Sequence, residues 1–235
     1  MNKTINLFLA LSFSLLTFGT FAQQPFTIYF NHKVGNEVLQ LMERSYSNSF
    51  GEPFIVNRFR YYVSNIHVTD INNKKTVIDQ YYLIDEADSN SKTIKLSVPN
   101  NRIKQIEFAL GVDSIKNVSG VQTGNLDPAK GMFWTWNTGY VFAKLEGQSD
   151  SSHIASHYFT YHIGGYKPNE NAIRKINFSI MNREWSNTFS INVDLLKWFD
   201  GNLKLKINES PVCHVPGKLA MQIADNYSQM FSIQQ

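Results

Sequence analysis

Ten stretches of this chain alternate apolar and polar residues with a period of two: 26–31, 54–68, 76–84, 93–98, 103–110, 133–145, 157–163, 173–180, 188–193 and 203–207. Successive side chains of a strand point to opposite faces, so such a pattern builds sheets with one buried and one wet face. Turn chemistry separates the stretches, at Asn72-Asn73, Pro99-Asn100-Asn101, Gly164-Gly165 and Asp200-Gly201. Residues 194–199 read as one or two helical turns, and 219–230 as a short C-terminal helix after Pro216-Gly217. The expectation is an all-β chain: a single antiparallel β-sandwich with hairpin and Greek-key connections and a short C-terminal helix. The region 111–130, rich in Gly, Asn and Asp, reads as a long ordered loop, where function tends to sit.

Composition agrees and excludes several classes. With 43% hydrophobic and 17% charged residues the chain is neither disordered, collagen-like nor a coiled coil, and 17 Phe, 11 Tyr and 4 Trp favour sheet. The 22 basic and 19 acidic residues are interspersed for a net charge of +3, so no basic stripe suits nucleic acid.

At the N-terminus Lys3 precedes an apolar stretch, 5–21, and Thr20 and Ala22 put small residues at the minus-three and minus-one positions before Gln23. This is the pattern of a secretory signal peptide, residues 1–22, cleaved before Gln23. Ser12, Ser14, Thr17, Gly19 and Thr20 interrupt the stretch, which is short for a spanning helix of about 20 residues. The mature domain, 23–235, is therefore expected to be soluble and periplasmic or secreted. Its single cysteine, Cys213, can form no disulfide within the chain, so the core must supply stability.

Trp134 and Trp136 stand at i and i+2, which in a strand would put both indoles on one face. Three readings fit: sandwich core, a platform for stacking sugars, or an aromatic wall around a metal. The polar neighbours Thr135, Asn137 and Thr138 weigh against plain core. Met132 would share that face and offers a soft thioether suited to Cu(I).

Among the six histidines, His153 and His157 have chelating spacing only if helical, and their surroundings read as loop and strand. His67, near the end of a strand, reads as structural. His32 and His162 sit at strand ends, where sandwich sites are built, and two imidazoles beside indoles would suit Cu(I) or Cu(II). Asp113, Asn117, Asn125 and Asp127 could supply oxygen ligands to Ca²⁺, although the loop lacks EF-hand spacing; bracing of the loop is the plainer reading. Cys213-His214 is either a soft ligand pair or a buried thiol beside a histidine. No nucleophile elbow, phosphate loop or dinucleotide fingerprint is present, and Gln23 at the mature terminus rules out an N-terminal histidine brace, so no enzyme is expected.

Particular segments then narrow the reading. Gly111-Val112-Asp113-Ser114, Gly124-Asn125-Leu126-Asp127-Pro128, the run from Gly131-Met132-Phe133-Trp134 through Thr135-Trp136-Asn137-Thr138-Gly139-Tyr140, Lys144-Leu145-Glu146-Gly147 and Tyr161-His162-Ile163-Gly164-Gly165 occur in that order. With Phe30-Asn31-His32, Tyr61-Tyr62-Val63-Ser64-Asn65-Ile66 and Asn226-Tyr227-Ser228-Gln229-Met230-Phe231, they make most of the mature chain resemble the MbnP-like copper-binding proteins. These are secreted or periplasmic β-proteins associated with methanobactin. The resemblance implies a mononuclear copper site of two histidines and a tryptophan, which in some relatives is oxidised to kynurenine by a partner dihaem, peroxidase-like enzyme. Carried over, His162 matches the histidine of the His-x-Gly segment and Trp134 or Trp136 the tryptophan. His32 is taken as the second imidazole, which requires ring nitrogens of His32 and His162 to approach within about 4 Å. The implied function is an exported copper-binding protein for copper acquisition or homeostasis. The competing reading is a non-catalytic carbohydrate- or surface-binding module that uses the tryptophan pair.

Overall fold

The computed structural model describes residues 23–99, 102–137, 139–180 and 186–234. The expected signal peptide lies outside the described residues. Among those described, no helix is long and apolar enough to cross a membrane.

In chain order the strands are β1 (Gln24–Val34), β2 (Glu37–Val38), β3 (Ser45–Ser47), β4 (Pro53–Asp70), β5 (Lys75–Asp85), β6 (Thr93–Val98), β7 (Ile103–Leu110), β8 (Phe133–Trp134), β9 (Gly139–Gln148), β10 (Tyr158–Gly164), β11 (Arg174–Ser179), β12 (Thr188–Asp194), β13 (Val212–Cys213) and β14 (Phe231–Ile233). Among the described residues, two short α-helices, α1 (Ser114–Val118) and α2 (Lys218–Tyr227), accompany them. The first sheet runs β14-β12-β1-β2, with β6 also on β1; the second runs β11-β7-β4-β9-β10-β13, with β3 and β5 on β4 and β8 on β9. The all-β expectation holds. The sheets are mixed, however, because β1 pairs with β12 and β10 with β13 in parallel. Alternation specifies which face a side chain takes and says nothing about the direction of its neighbour, so those two pairings could not be read from it.

The inward faces meet in one aromatic core. Phe30, Phe108 and Phe231 stand edge-on to one another, with centroids 6.1, 6.5 and 5.5 Å apart, and Tyr61 joins Phe30 at 6.1 Å. Edge-to-face contact is the arrangement that aligns ring edges with negative ring faces. Beside them α2 buries Ile223 and sets Tyr227 against Trp198, with ring centroids 4.9 Å apart.

Two expected strands differ. The stretch 133–145 divides into β8 and β9, because residues 135–137 form a turn. Residues 203–207 form no strand, although Leu205 and Ile207 are buried. Their backbone donors find other partners: Leu205 N donates to Phe199 O at 2.9 Å and Ile207 N to the buried Glu52 carboxylate at 2.8 Å. The alternation is real and the ladder is replaced.

Candidate metal centre

Tyr161 and Ile163 of β10 are fully buried, so the residues between and around them, Thr160 and His162, turn outward. Register extends that outer face across four strands. His162 pairs with Lys144 of β9 and Thr160 with Glu146; beyond them Lys144 pairs with Arg60 of β4 and Glu146 with Arg58. On the other side β13 runs parallel to β10, with Thr160 opposite Val212 and Tyr161 opposite Cys213. The next step along both strands brings His214 beside His162, and their rings stack at 4.3 Å with 21° between planes.

Each ring is tied at Nε2. His162 Nε2 lies 2.7 Å from Glu146 Oε1, and His214 Nε2 lies 2.6 Å from Thr160 Oγ1. Glu146 is anchored in turn by Arg58 Nη1 at 2.8 Å, with Lys144 Nζ at 3.8 Å. Burial alone would raise the Glu146 carboxyl, but the His162 hydrogen bond and the Lys144 and Arg58 charges outweigh it and bring it to about 2. Burial, and next the neighbouring His162, lower the His214 imidazole, so it is neutral at pH 7 with a nitrogen lone pair to offer.

The same face holds the tryptophan segment. Lys144 Nζ donates to Gly131 O at 2.6 Å and Arg60 Nη1 to Lys130 O at 3.0 Å, pinning the chain that leads into β8. Trp134 is then packed against Gly164, two residues beyond His162: a Cβ there would come within 2.8 Å of the indole and 2.4 Å of Tyr140 O. Glycine is needed because backbone and ring both approach so closely. Trp134 is 6% exposed and Trp136, in the turn, 61%. Their rings are 5.7 Å apart and tilted by 47°. The expected common strand face is therefore corrected: β8 ends at Trp134, and the pair forms no coplanar platform. Met132 is fully buried and precedes β8.

His32 does not join this group. It follows Phe30 on the buried face of β1, and its ring meets Phe59 at 4.9 Å and Tyr61 at 5.6 Å. Phe59 and Tyr61 occupy the inner face of β4, whereas Arg58 and Arg60, which share the outer lattice with His162, occupy the other. His32 and His162 thus lie on opposite sides of the second sheet, and the expectation that they share one ion is corrected. A buried apolar strand face with a polar residue at its end reads the same whether that residue binds a metal or a partner within the core. Here His32 Nδ1 meets Glu86 Oε2 at 2.6 Å and Nε2 meets Tyr61 Oη at 3.0 Å.

The remaining candidates separate likewise. Cys213 is buried beside Tyr161 while His214 stacks on His162 at the outer face, so the two do not converge; burial pushes the Cys213 thiol up to about 11. His153 and His157 bond different carbonyls, Asn208 O at 3.2 Å and Ser152 O at 3.0 Å. His67 meets Glu107 at 3.0 Å. In the loop, Asp113 caps α1 and accepts from Tyr81, Asp127 accepts from Ala129 N, Asn117 accepts from Tyr140 N, and Asn125 donates to Tyr81 O. These groups brace the loop. Among the described residues no three His, Cys, Asp or Glu side chains form a ready metal cage. Sequence reasoning missed Glu146 and Thr160 as supports and placed His214 behind His32 as the second imidazole; the β9/β10 register reveals Glu146, and the parallel β10/β13 register Thr160 and His214.

The MbnP family model matches residues 23–215. Among solved structures, MbnP from Methylosinus trichosporium superimposes with a TM-score of 0.62 at 14% identity, covering 90% of this chain and 98% of that one. No curated protein matches.

Proposed function

The chain belongs to the MbnP family, and on that premise we propose that it is an exported protein that binds copper as cargo, without catalysing a reaction, at the outer face that carries His162 and His214. The observation that carries this reading is the stacked imidazole pair, 4.3 Å apart, beside the Trp134 segment. The family match begins at residue 23, where the apolar leader ends, which supports export.

The donor set suits the metal. Neutral imidazole binds both Cu(I) and Cu(II) well, and the Glu146 carboxylate can orient a ligating ring through its other nitrogen. The near-parallel stack also imposes a condition. A nitrogen lone pair lies in its ring plane, so two stacked rings direct their lone pairs alongside each other rather than to one point. Binding one ion with both rings therefore turns one imidazole out of the stack, and the single Thr160 hydroxyl on His214 is a weaker tether than the anchored Glu146 on His162. Trp136, 61% exposed, is the indole that a partner oxidase of the dihaem class would reach directly, while Trp134 packs under it.

Copper titration of the mature protein against a competing chelator tests this. His162→Ala and His214→Ala should each weaken binding strongly, and His67→Ala should leave it unchanged. Unchanged affinity in both of the first two variants would refute the site.

A further inference from the structure

A second polar constellation lies inside the core, on the opposite side of the sheet from the imidazole pair, and does not depend on copper. We propose that Tyr61 is a buried one-electron donor whose phenolic proton passes to His32, and that Trp198 carries the oxidising equivalent to it from the outer face.

The hydrogen-bond directions are set by Glu86. Its carboxylate only accepts, so His32 Nδ1 carries the ring proton at 2.6 Å, and Nε2 is left to accept from Tyr61 Oη at 3.0 Å. Burial lowers the His32 imidazole against the raising effect of Glu86, which keeps Nε2 unprotonated at neutral pH. Burial raises Tyr61 well above the ordinary phenol range, and Glu86 adds to that, so the phenol does not ionise first. Loss of an electron from Tyr61 must then be accompanied by transfer of its proton. One electron leaves for a high-potential metal-complex oxidant at the outer face, which is reduced by one unit. The O–H bond breaks, and the proton forms an N–H bond at His32 Nε2. The products are a neutral tyrosyl radical and an imidazolium whose charge faces Glu86, itself paired to Lys92 at 3.0 Å.

The other buried phenols lack such a base. Tyr62, Tyr140 and Tyr161 give their hydroxyls to the carbonyls of Asn125, Leu126 and Ser210, which cannot take a proton. Aromatic rings link the outer face to Tyr61. Tyr161, next to His162, stacks on Trp198 at 6.5 Å and 23°; Trp198 meets Phe59 at 6.2 Å, and Phe59 meets Tyr61 at 5.3 Å. Trp198 is fully buried, and its Nε1 has no hydrogen-bond partner among the described residues. An indole radical cation there finds no base, keeps its proton and passes the equivalent onward, whereas Tyr61 at the end of this ring path can release its proton to His32 and hold the radical.

The test uses the metal-free mature protein, oxidised by photogenerated ruthenium(III) tris-bipyridine and freeze-trapped for electron paramagnetic resonance. The expected result is a neutral tyrosyl radical that is lost in Tyr61→Phe and slower to appear in Trp198→Phe. High-field spectra of the wild type, which need no variant, should carry the reduced g value of a tyrosyl oxygen facing a charged donor. A radical that survives in Tyr61→Phe, one confined to the exposed Tyr29 or Tyr158, or a wild-type spectrum without the shifted g value would overturn the proposal. Because copper is absent, failure here leaves the copper site untouched, and failure of copper binding leaves this proposal untouched.

Discussion

His162 and His214 reach each other through strand pairing alone: residues far apart in the chain stand side by side because β13 runs parallel to β10, and their rings stack at 4.3 Å. Support for the pair comes from the next residues in register, since Glu146 holds one ring and Thr160 the other. A carboxylate that orients a ligating histidine typically governs metal affinity by about 10–100-fold. Glu146→Gln should therefore weaken copper binding by about that factor, measured by chelator competition.

The buried His32 makes stability depend on pH. Burial holds its imidazole below the ordinary value of 6.5, so below that pH the unfolded chain binds a proton that the folded chain refuses. Stability is then full above 6.5 and falls as pH drops, by up to about 1.4 kcal/mol per pH unit, until the folded value is passed. Glu86, lowered by its hydrogen bond from His32 and by Lys92 against the opposing effect of burial, contributes stability that is lost at still lower pH, through its own folded value. Denaturant unfolding at about pH 7.5 and about pH 5.5 should show the decline, and His32→Gln should flatten it.

Much of the fold is legible from periodicity. The boundaries of β6 and β7 follow the alternation at 93–98 and 103–110, and α2 follows the apolar spacing after Gly217. Less of the site is legible. The alternation that turns His162 outward is local, but the identity of its neighbour depends on a parallel pairing set by tertiary contact. The i, i+2 spacing of Trp134 and Trp136 misled because the chain leaves the strand between them. His32 misled for a related reason: its partners Tyr61 and Glu86 are remote in sequence, and nothing local distinguishes a buried hydrogen-bonded histidine from a ligand.

The two indoles should respond differently to removal. Trp134, 6% exposed and packed on Gly164, should cost about 3–5 kcal/mol on substitution by alanine. Trp136, 61% exposed, should change stability by no more than about 0.5 kcal/mol. Equal losses in urea unfolding would contradict the placement of the pair.

Gly164→Ala should displace the Trp134 ring, because the added methyl would lie 2.8 Å from it and 2.4 Å from Tyr140 O. The expected cost is about 1–3 kcal/mol from overpacking, with a red shift of tryptophan emission as Trp134 meets water. An unshifted spectrum at wild-type stability would show that the contact is looser than described.

Cys213 should resist modification. Its thiol is buried, and burial pushes it up to about 11, so little thiolate exists at neutral pH. Labelling with iodoacetamide should be slow in the native protein and rapid in urea; rapid native labelling would place Cys213 at the surface.

The copper site itself is tested most directly by electron paramagnetic resonance of the Cu(II)-loaded protein with ¹⁵N-labelled histidine. The expected spectrum shows superhyperfine coupling to two histidine nitrogens in the wild type, reduced to one in either His162→Ala or His214→Ala, and unchanged in His32→Gln. A pattern that loses a nitrogen in His32→Gln and keeps both in His214→Ala would contradict it.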